Sequence, residues 1–295
     1  MTSTVRLVLD SLLAQTLKPR RIIVVDDGST DGTAELLDAY SSRYPDLFAV
    51  IRFPESPYDL RRIPILWNAA IAALRVSHPM PNYVLIGADD DVYPPEYAES
   101  LVSRMKADPS IVISSGSITG AVSYRPKGSA PEGGGRMISV PFLRRIGGRV
   151  PTFYGYESWI LYKASQLGLQ ARKFQDVKLT HARPLGQVHG FREWGPAMAC
   201  ADFRPLYVVF LALNNVLFNW KIIPRRAVVR MTIDYFRAFN GKAQQDFALR
   251  KWKEIDADVV EWVRGSQIMT LETILLKPFR LIFRPFKRIY ERCTI

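Results

Sequence analysis

The stretch RRIIVVDDGSTDGT (Arg20–Thr33) decides how the chain is read. Ile22, Ile23, Val24 and Val25 follow Pro19 closely and stop at Asp26-Asp27-Gly28. A short, continuous apolar run, bounded by proline on one side and turn-forming residues on the other, predicts a strand covered on both faces. Residues 4–16, just before it, place Leu7, Leu9, Leu12 and Leu13 in a helical pattern, and a second helix is expected from about Thr33 to Tyr44. Helix, buried strand, helix is the repeating unit of an α/β fold.

Working outward, the unit recurs. Strands are expected at Phe48–Arg52, at YVLIG (Tyr83–Gly87) and at IVISS (Ile111–Ser115), with helices near Pro64–Val76 and after Pro94-Pro95. Continuous apolar strands alternating with helices predict a largely parallel sheet covered on both faces by helices. YRPKGSAPEGGGRM (Tyr124–Met137), dense in glycine and proline, reads as a mobile surface loop. From Trp194 onward the pattern is helical. We therefore expect an α/β domain over residues 1–202 and a helical extension over 203–295.

The chain has 295 residues, 48% of them apolar, enough for a core without disulfides. Cys200 and Cys293 have no metal-ligand spacing, so a reducing, cytoplasmic setting is expected. The amino terminus MTSTVRLVLD lacks the apolar run of a signal peptide. Pro205–Trp220 carries no charge, yet its 16 residues fall short of the ~20 a spanning helix needs. It reads as a buried or interfacial helix. Net charge is +12, distributed as +3 up to Asp202 and +9 from Phe203 to Ile295. A basic extension of this kind suits an anionic surface, either nucleic acid, lipid headgroups or polyphosphate, and its plain alternative is a solvated face.

Two acidic clusters follow buried strands: Asp26-Asp27 after RIIVV, and Asp89-Asp90-Asp91 after YVLIG. In an open parallel sheet, ligands bind outside the carboxyl ends of the strands, so both clusters are expected on one rim. Three adjacent carboxylates repel one another unless they share a cation, and hard divalent ions take oxygen ligands. Asp89 and Asp91 would reach one ion together from an extended backbone. Helix capping accounts for single acids such as Asp31, and less well for a triplet. The order Asp27-x-Ser29-x-Asp31-Gly32, with Asp38 twelfth, mimics a calcium loop, but a strand precedes it and the twelfth position lacks Glu.

Taken together, SLLAQTLKPRRIIVVDDGSTDGT (Ser11–Thr33) and GADDDVYPPEY (Gly87–Tyr97) resemble the family 2 glycosyltransferases with the GT-A fold, over roughly residues 4–190. The resemblance implies transfer of a sugar from a nucleotide-diphosphate donor to an acceptor hydroxyl or phosphate, usually with inversion and with Mn²⁺ or Mg²⁺. It implies that Asp26 and Asp27 lie at the nucleoside and that Asp89 and Asp90 lie at the nucleotide-sugar, with Asp89 and Asp91 on the metal. The family's acidic motif most often reads Asp-x-Asp-Asp. Here Gly87-Ala88-Asp89-Asp90 lacks the leading acid, and Asp91 restores an Asp-x-Asp one step later.

Inversion requires one carboxylate to take the acceptor's proton. The family carries it in a Glu-Asp motif at a helix start, and GYESWILYKASQLG (Gly155–Gly168) has that layout, putting Glu157 on the base position. The plain alternative is an acid favouring a helix amino terminus, worth about 0.5 kcal/mol. His181, in VKLTHARPLG, matches a histidine that meets the metal or the diphosphate, and Arg183 would clamp phosphate oxygens. A structural hydrogen-bonder is the alternative for His181. His78, His189 and Trp194 are weaker candidates.

The family pattern begins one strand earlier than this chain, so the sequence is expected to be shortened at its start. The other possibility is a sheet re-paired around the two acidic strands. The extension is expected to favour a glycan or lipid-linked acceptor, with the protein peripheral on the inner face of the cell membrane. A nucleotidyltransferase would need a glycine-rich phosphate loop after its first strand, and a nucleic-acid-binding module would leave the acidic clusters without a use.

Overall fold

The computed structural model describes residues 2–57, 62–75, 80–120, 130–183, 194–218, 224–241 and 252–270. The chain divides into two compact units, Met1–Phe191 and Arg192–Ile295. The first runs α1 (Thr2–Leu13), β1 (Ile22–Asp26), α2 (Thr33–Arg43), β2 (Phe48–Arg52), α3 (Arg62–Arg75) and β3 (Tyr83–Ile86). It continues through β4 (Asp91–Val92), α4 (Tyr97–Ala107), β5 (Ile111–Gly120), β6 (Arg136–Ser139), α5 (Val140–Arg145), α6 (Tyr156–Gln166) and β7 (Gln170–His181).

The sheet is mixed, which corrects the expectation of a largely parallel one. β1 and β2 form a parallel pair, with Ile22 opposite Phe48 and Asp26 opposite Arg52. A second sheet has the order β3-β6-β5-β7-β4, and within it only β5 and β7 run parallel. A parallel neighbour needs a long crossover, usually helical, whereas an antiparallel one does not. β6 (RMIS) and β4 (DV) are short and partly polar, so neither shows the long apolar run that marks a buried strand in sequence.

β1 and β3 lie in separate sheets, so direct re-pairing of the two acidic strands is not observed. Helix α1 is what joins them. Its Val5 and Leu9 pack with Ile22, Leu36, Leu37 and Phe48, while its Val8 packs with Tyr97, Leu101 and Leu179, and Leu12 touches both clusters. Polar ties reinforce this contact. The Tyr93 amide donates to Ser11 Oγ at 3.2 Å, and the Thr16 amide donates to the Pro95 carbonyl at 2.7 Å.

The glycine-rich stretch is the second correction. Residues 130–137 are described, and Pro131, Glu132, Gly135, Arg136 and Met137 are buried, the last two inside β6. Residues 121–129 lie outside the described set.

The second unit contains α7 (Trp194–Cys200), α8 (Pro205–Phe218), α9 (Arg225–Phe239) and α10 over residues 257–270. A side chain at Gly195 would meet the backbone of Met231 and Tyr235, so glycine lets α7 and α9 approach closely. Tyr235 donates to the Phe203 carbonyl at 2.6 Å, and Arg264 pairs with Asp202 at 3.1 Å. Among the described residues no helix is long and apolar enough to cross a membrane. The tail beyond residue 270 lies outside the described set.

Candidate active site

The Asp triplet is shaped by a turn and not by the extended backbone expected. The Asp91 amide reaches back to the Ala88 carbonyl at 3.4 Å, which makes Asp89 and Asp90 the turn's middle residues. Asp91 then opens β4 directly opposite His181 of β7. It is fully buried, with Oδ1 3.0 Å from His181 Nδ1 and Oδ2 accepting from the Ala88 amide at 2.9 Å and Tyr93 at 3.3 Å. Asp90 Oδ2 lies 3.2 Å from the other ring nitrogen, Nε2 of His181, so the imidazole is held between two carboxylates. Asp89, expected beside Asp91, is instead half-exposed and meets Arg183 at 2.5 Å. The same guanidinium donates to Asp90 at 3.0 Å.

Asp90, Asp91 and His181 thus form a buried group whose ligand atoms all lie within 4.8 Å of one another. Burial pushes the Asp90 carboxyl up, against the opposing charges of His181 and Arg183. Burial acts to lower the His181 value, but the Asp91 hydrogen bond and both carboxylate charges together carry it upward. Two carboxylates and an imidazole make a mixed oxygen and nitrogen donor set, so the residues fit a divalent ion.

The first acidic pair serves two surroundings. Asp26 is buried at the end of β1, and its Oδ1 accepts from the Ser29 amide at 3.0 Å, closing the turn. Asp27 is half-exposed and paired with Arg62 at the start of α3. The acids of the calcium-like order disperse. Asp31 accepts from the Thr33 hydroxyl at 2.6 Å at the start of α2, and Asp38 pairs with Arg52.

Glu157 sits in the first turn of α6, after Gly155 at φ +81°. Its Oε1 accepts from the Tyr156 hydroxyl at 3.3 Å, and Tyr156 meets Trp67 of α3 edge-on at 5.2 Å. Gly133-Gly134 link this acid to the triplet. A β-carbon on Gly133 would lie 3.1 Å from both carboxylate oxygens of Glu157, and one on Gly134 would overlap the Asp91 carboxylate. Consecutive glycines therefore run against the two acids, which brings Glu157 and the Asp90–Asp91–His181 group to one place.

The sequence matches the family described as Glycosyl transferase family 2 over residues 2–157, more than half the chain. The chain belongs to glycosyl transferase family 2. Solved structures agree at the level of the fold. The mannosyltransferase PcManGT from Pyrobaculum calidifontis, solved in complex with GDP-Man and Mn²⁺, is 19% identical with a TM-score of 0.54. That match covers 89% of this chain and 82% of the other. S. aureus TarS 1-349 in complex with UDP-GlcNAc is 16% identical with a TM-score of 0.53, covering 92% of this chain and 88% of that one. No curated protein matches the sequence. The fold of this family 2 glycosyltransferase is GT-A.

Sequence and structure differ in detail at the candidate site. Arg62, paired with Asp27, carried no sequence signal of its own, and Asp90, expected at the nucleotide-sugar, meets His181 where Asp89 was expected. The glycine strap read as loop because glycine density marks turns and close approaches alike. His78 and His189 lie outside the described residues, and Trp194 starts α7 in the second unit.

Proposed function

We propose that this glycosyltransferase moves a sugar, with inversion, from a UDP- or GDP-sugar to an acceptor hydroxyl, with Glu157 as general base. The observation that carries the reading is the pair of glycines lying against Glu157 and Asp91 in succession. It sets a proton acceptor beside a buried group fitted for a divalent ion. In the reaction the acceptor oxygen bonds to the anomeric carbon as the bond to the diphosphate breaks, and Glu157 takes the hydroxyl proton. Asp90, Asp91 and His181 would hold Mn²⁺ or Mg²⁺. Such an ion neutralises developing charge on the diphosphate. Arg183, already on Asp89 and Asp90, would offer its guanidinium to phosphate oxygens. Asp27 and Arg62 would flank the nucleoside, with Asp26 shaping the turn beneath it.

The donor class is supported by the bound ligands of the two solved relatives. The test is sugar release from UDP-GlcNAc and GDP-mannose with Mn²⁺, comparing wild type with Glu157→Gln. Loss of a general base lowers turnover about 10²–10⁴-fold, and donor binding should persist. Equal turnover in the variant rejects Glu157 as the base.

A specific surface favours an acceptor presented at an anionic membrane. On α8, a helix without charge, Leu206, Val209, Leu213 and Leu217 recur every three or four residues and are exposed, Leu206 at 72% and Leu217 at 61%. On α9, exposed Val229 and Ile233 stand among Arg225, Arg226, Arg230 and Arg237. Apolar side chains bordered by arginine are what an interfacial helix presents to acidic headgroups. Flotation with phosphatidylglycerol vesicles should carry the wild type and lose the Leu213→Glu/Leu217→Glu variant. Wild-type protein left wholly at the bottom rejects this acceptor reading and the peripheral inner-face location with it.

A further inference from the structure

We infer that Lys173 and Glu132 form a positioning clamp that holds the glycine strap between Glu157 and Asp91. The inference rests on the transferase reading for its effect on turnover, but its structural half stands on the packing alone. Gly133, Gly134 and Gly135 are consecutive. Glycine gives up more conformational freedom on ordering than any other residue, so such a run does not order itself. Its shape has to come from its ends.

Both ends are gripped. At one end, three groups of Glu132 are engaged. Its amide donates to Ser115 Oγ at 2.8 Å, its carbonyl accepts from Arg136 Nε at 2.9 Å, and its carboxylate meets Lys173 Nζ at 2.9 Å. Ser115 and Lys173 are register partners on β5 and β7, so adjacent strands of one sheet supply two of those three grips. At the other end the Gly135 carbonyl accepts from the buried Tyr97 hydroxyl at 2.6 Å, and that oxygen accepts in turn from the Gly116 amide at 2.9 Å. Gly133 and Gly134, held between these anchors, are the residues that touch Glu157 and Asp91.

The Lys173 side chain is 1% exposed. A buried ion pair contributes little net stability compared with an apolar pair of the same volume, so this one calls for a role in specifying geometry. The strand arrangement supplies that role. β7 carries Lys173 and, eight residues on, His181, while β4 holds Asp91 opposite His181. The clamp and the acidic group are therefore referred to the same strand, and the strap sets Glu157 relative to them.

The experiment uses the full chain with Lys173→Met and Lys173→Arg. Amide exchange over residues 132–136 should rise about tenfold or more in Lys173→Met, with α4 unchanged. Sugar release from UDP-GlcNAc or GDP-mannose should fall about 10²-fold in kcat, because a misplacement of about 1 Å costs that much. The donor KM should move less than about threefold, and Lys173→Arg should recover part of both losses. Unchanged exchange in the strap, or loosened exchange with unchanged kcat, overturns the clamp. If Lys173→Met does not fold, Glu132→Leu/Lys173→Met removes both charges and should fold with a loosened strap; a strap still protected in that variant overturns the inference. A wild type that turns over neither donor, and shows no Mn²⁺-dependent stabilisation by UDP or GDP, rejects the transferase reading instead, while the exchange result still judges the strap.

Discussion

Asp89 and Asp91 are two residues apart in the chain and occupy opposite environments. Asp91 is buried and accepts from the Ala88 amide and Tyr93, while Asp89 reaches outward to Arg183. Asp91→Ala would leave buried donors without an acceptor, at about 1–3 kcal/mol for each such group. Asp89→Ala should stay within about 0.5 kcal/mol. Urea unfolding measures both, and thermal shift with UDP or GDP and Mn²⁺ should show the metal-dependent response lost only in Asp91→Ala. Equal destabilisation by the two would contradict the buried role of Asp91. The sequence showed that an acidic cluster follows a strand. It could not show which acids face inward, because that depends on the turn closed by Asp91 on Ala88.

At the scale of elements, α1 is the bridge between the two sheets, and its carboxyl end is fastened by Gln15. That buried side chain donates to the carbonyls of Ser11 and Pro94, at 3.0 and 2.9 Å, and accepts from the Ala98 amide at 3.0 Å. Gln15→Ala should cost about 1–3 kcal/mol through the unpaired groups it leaves, measurable as a shift of the urea midpoint. A different tie joins α4 to β7, where Arg104 holds Asp176 and stacks over Phe174 at 4.6 Å. The Arg104 hydrogen bonds lower the Asp176 carboxyl to about 2. A carboxyl depressed in this way contributes stability above its unfolded value of about 3.9. That contribution is lost as pH falls through about 2, the folded value. Carbon-detected NMR should find Asp176 titrating near that pH in wild type and higher in Arg104→Ala.

At the scale of the whole molecule, charge is segregated. The +9 of residues 203–295 contrasts with +3 over the rest. If that charge helps the second unit meet acidic lipid, vesicle binding must weaken as salt rises, because the Debye length shrinks from about 10 Å at 0.1 M to about 3 Å at 1 M. Binding unaffected by 1 M salt would leave the exposed leucines of α8 as the whole attraction.

What the sequence determined by itself is local. Apolar runs ending in acids, helices with regular stripes and a Glu in the first turn of a helix are written in neighbouring residues, and they sufficed for the α/β class, the family resemblance and the identity of the candidate acids. The mixed pairing of the second sheet, the exchange of Asp90 for Asp89 beside His181, and the use of a glycine run as a strap were decided only by tertiary structure. Each depends on residues far apart in the chain: Asp91 against His181, Gly134 against Asp91, Lys173 against Glu132. No local pattern encodes such a meeting, because the free energy that selects it comes from burial and pairing after the elements have packed.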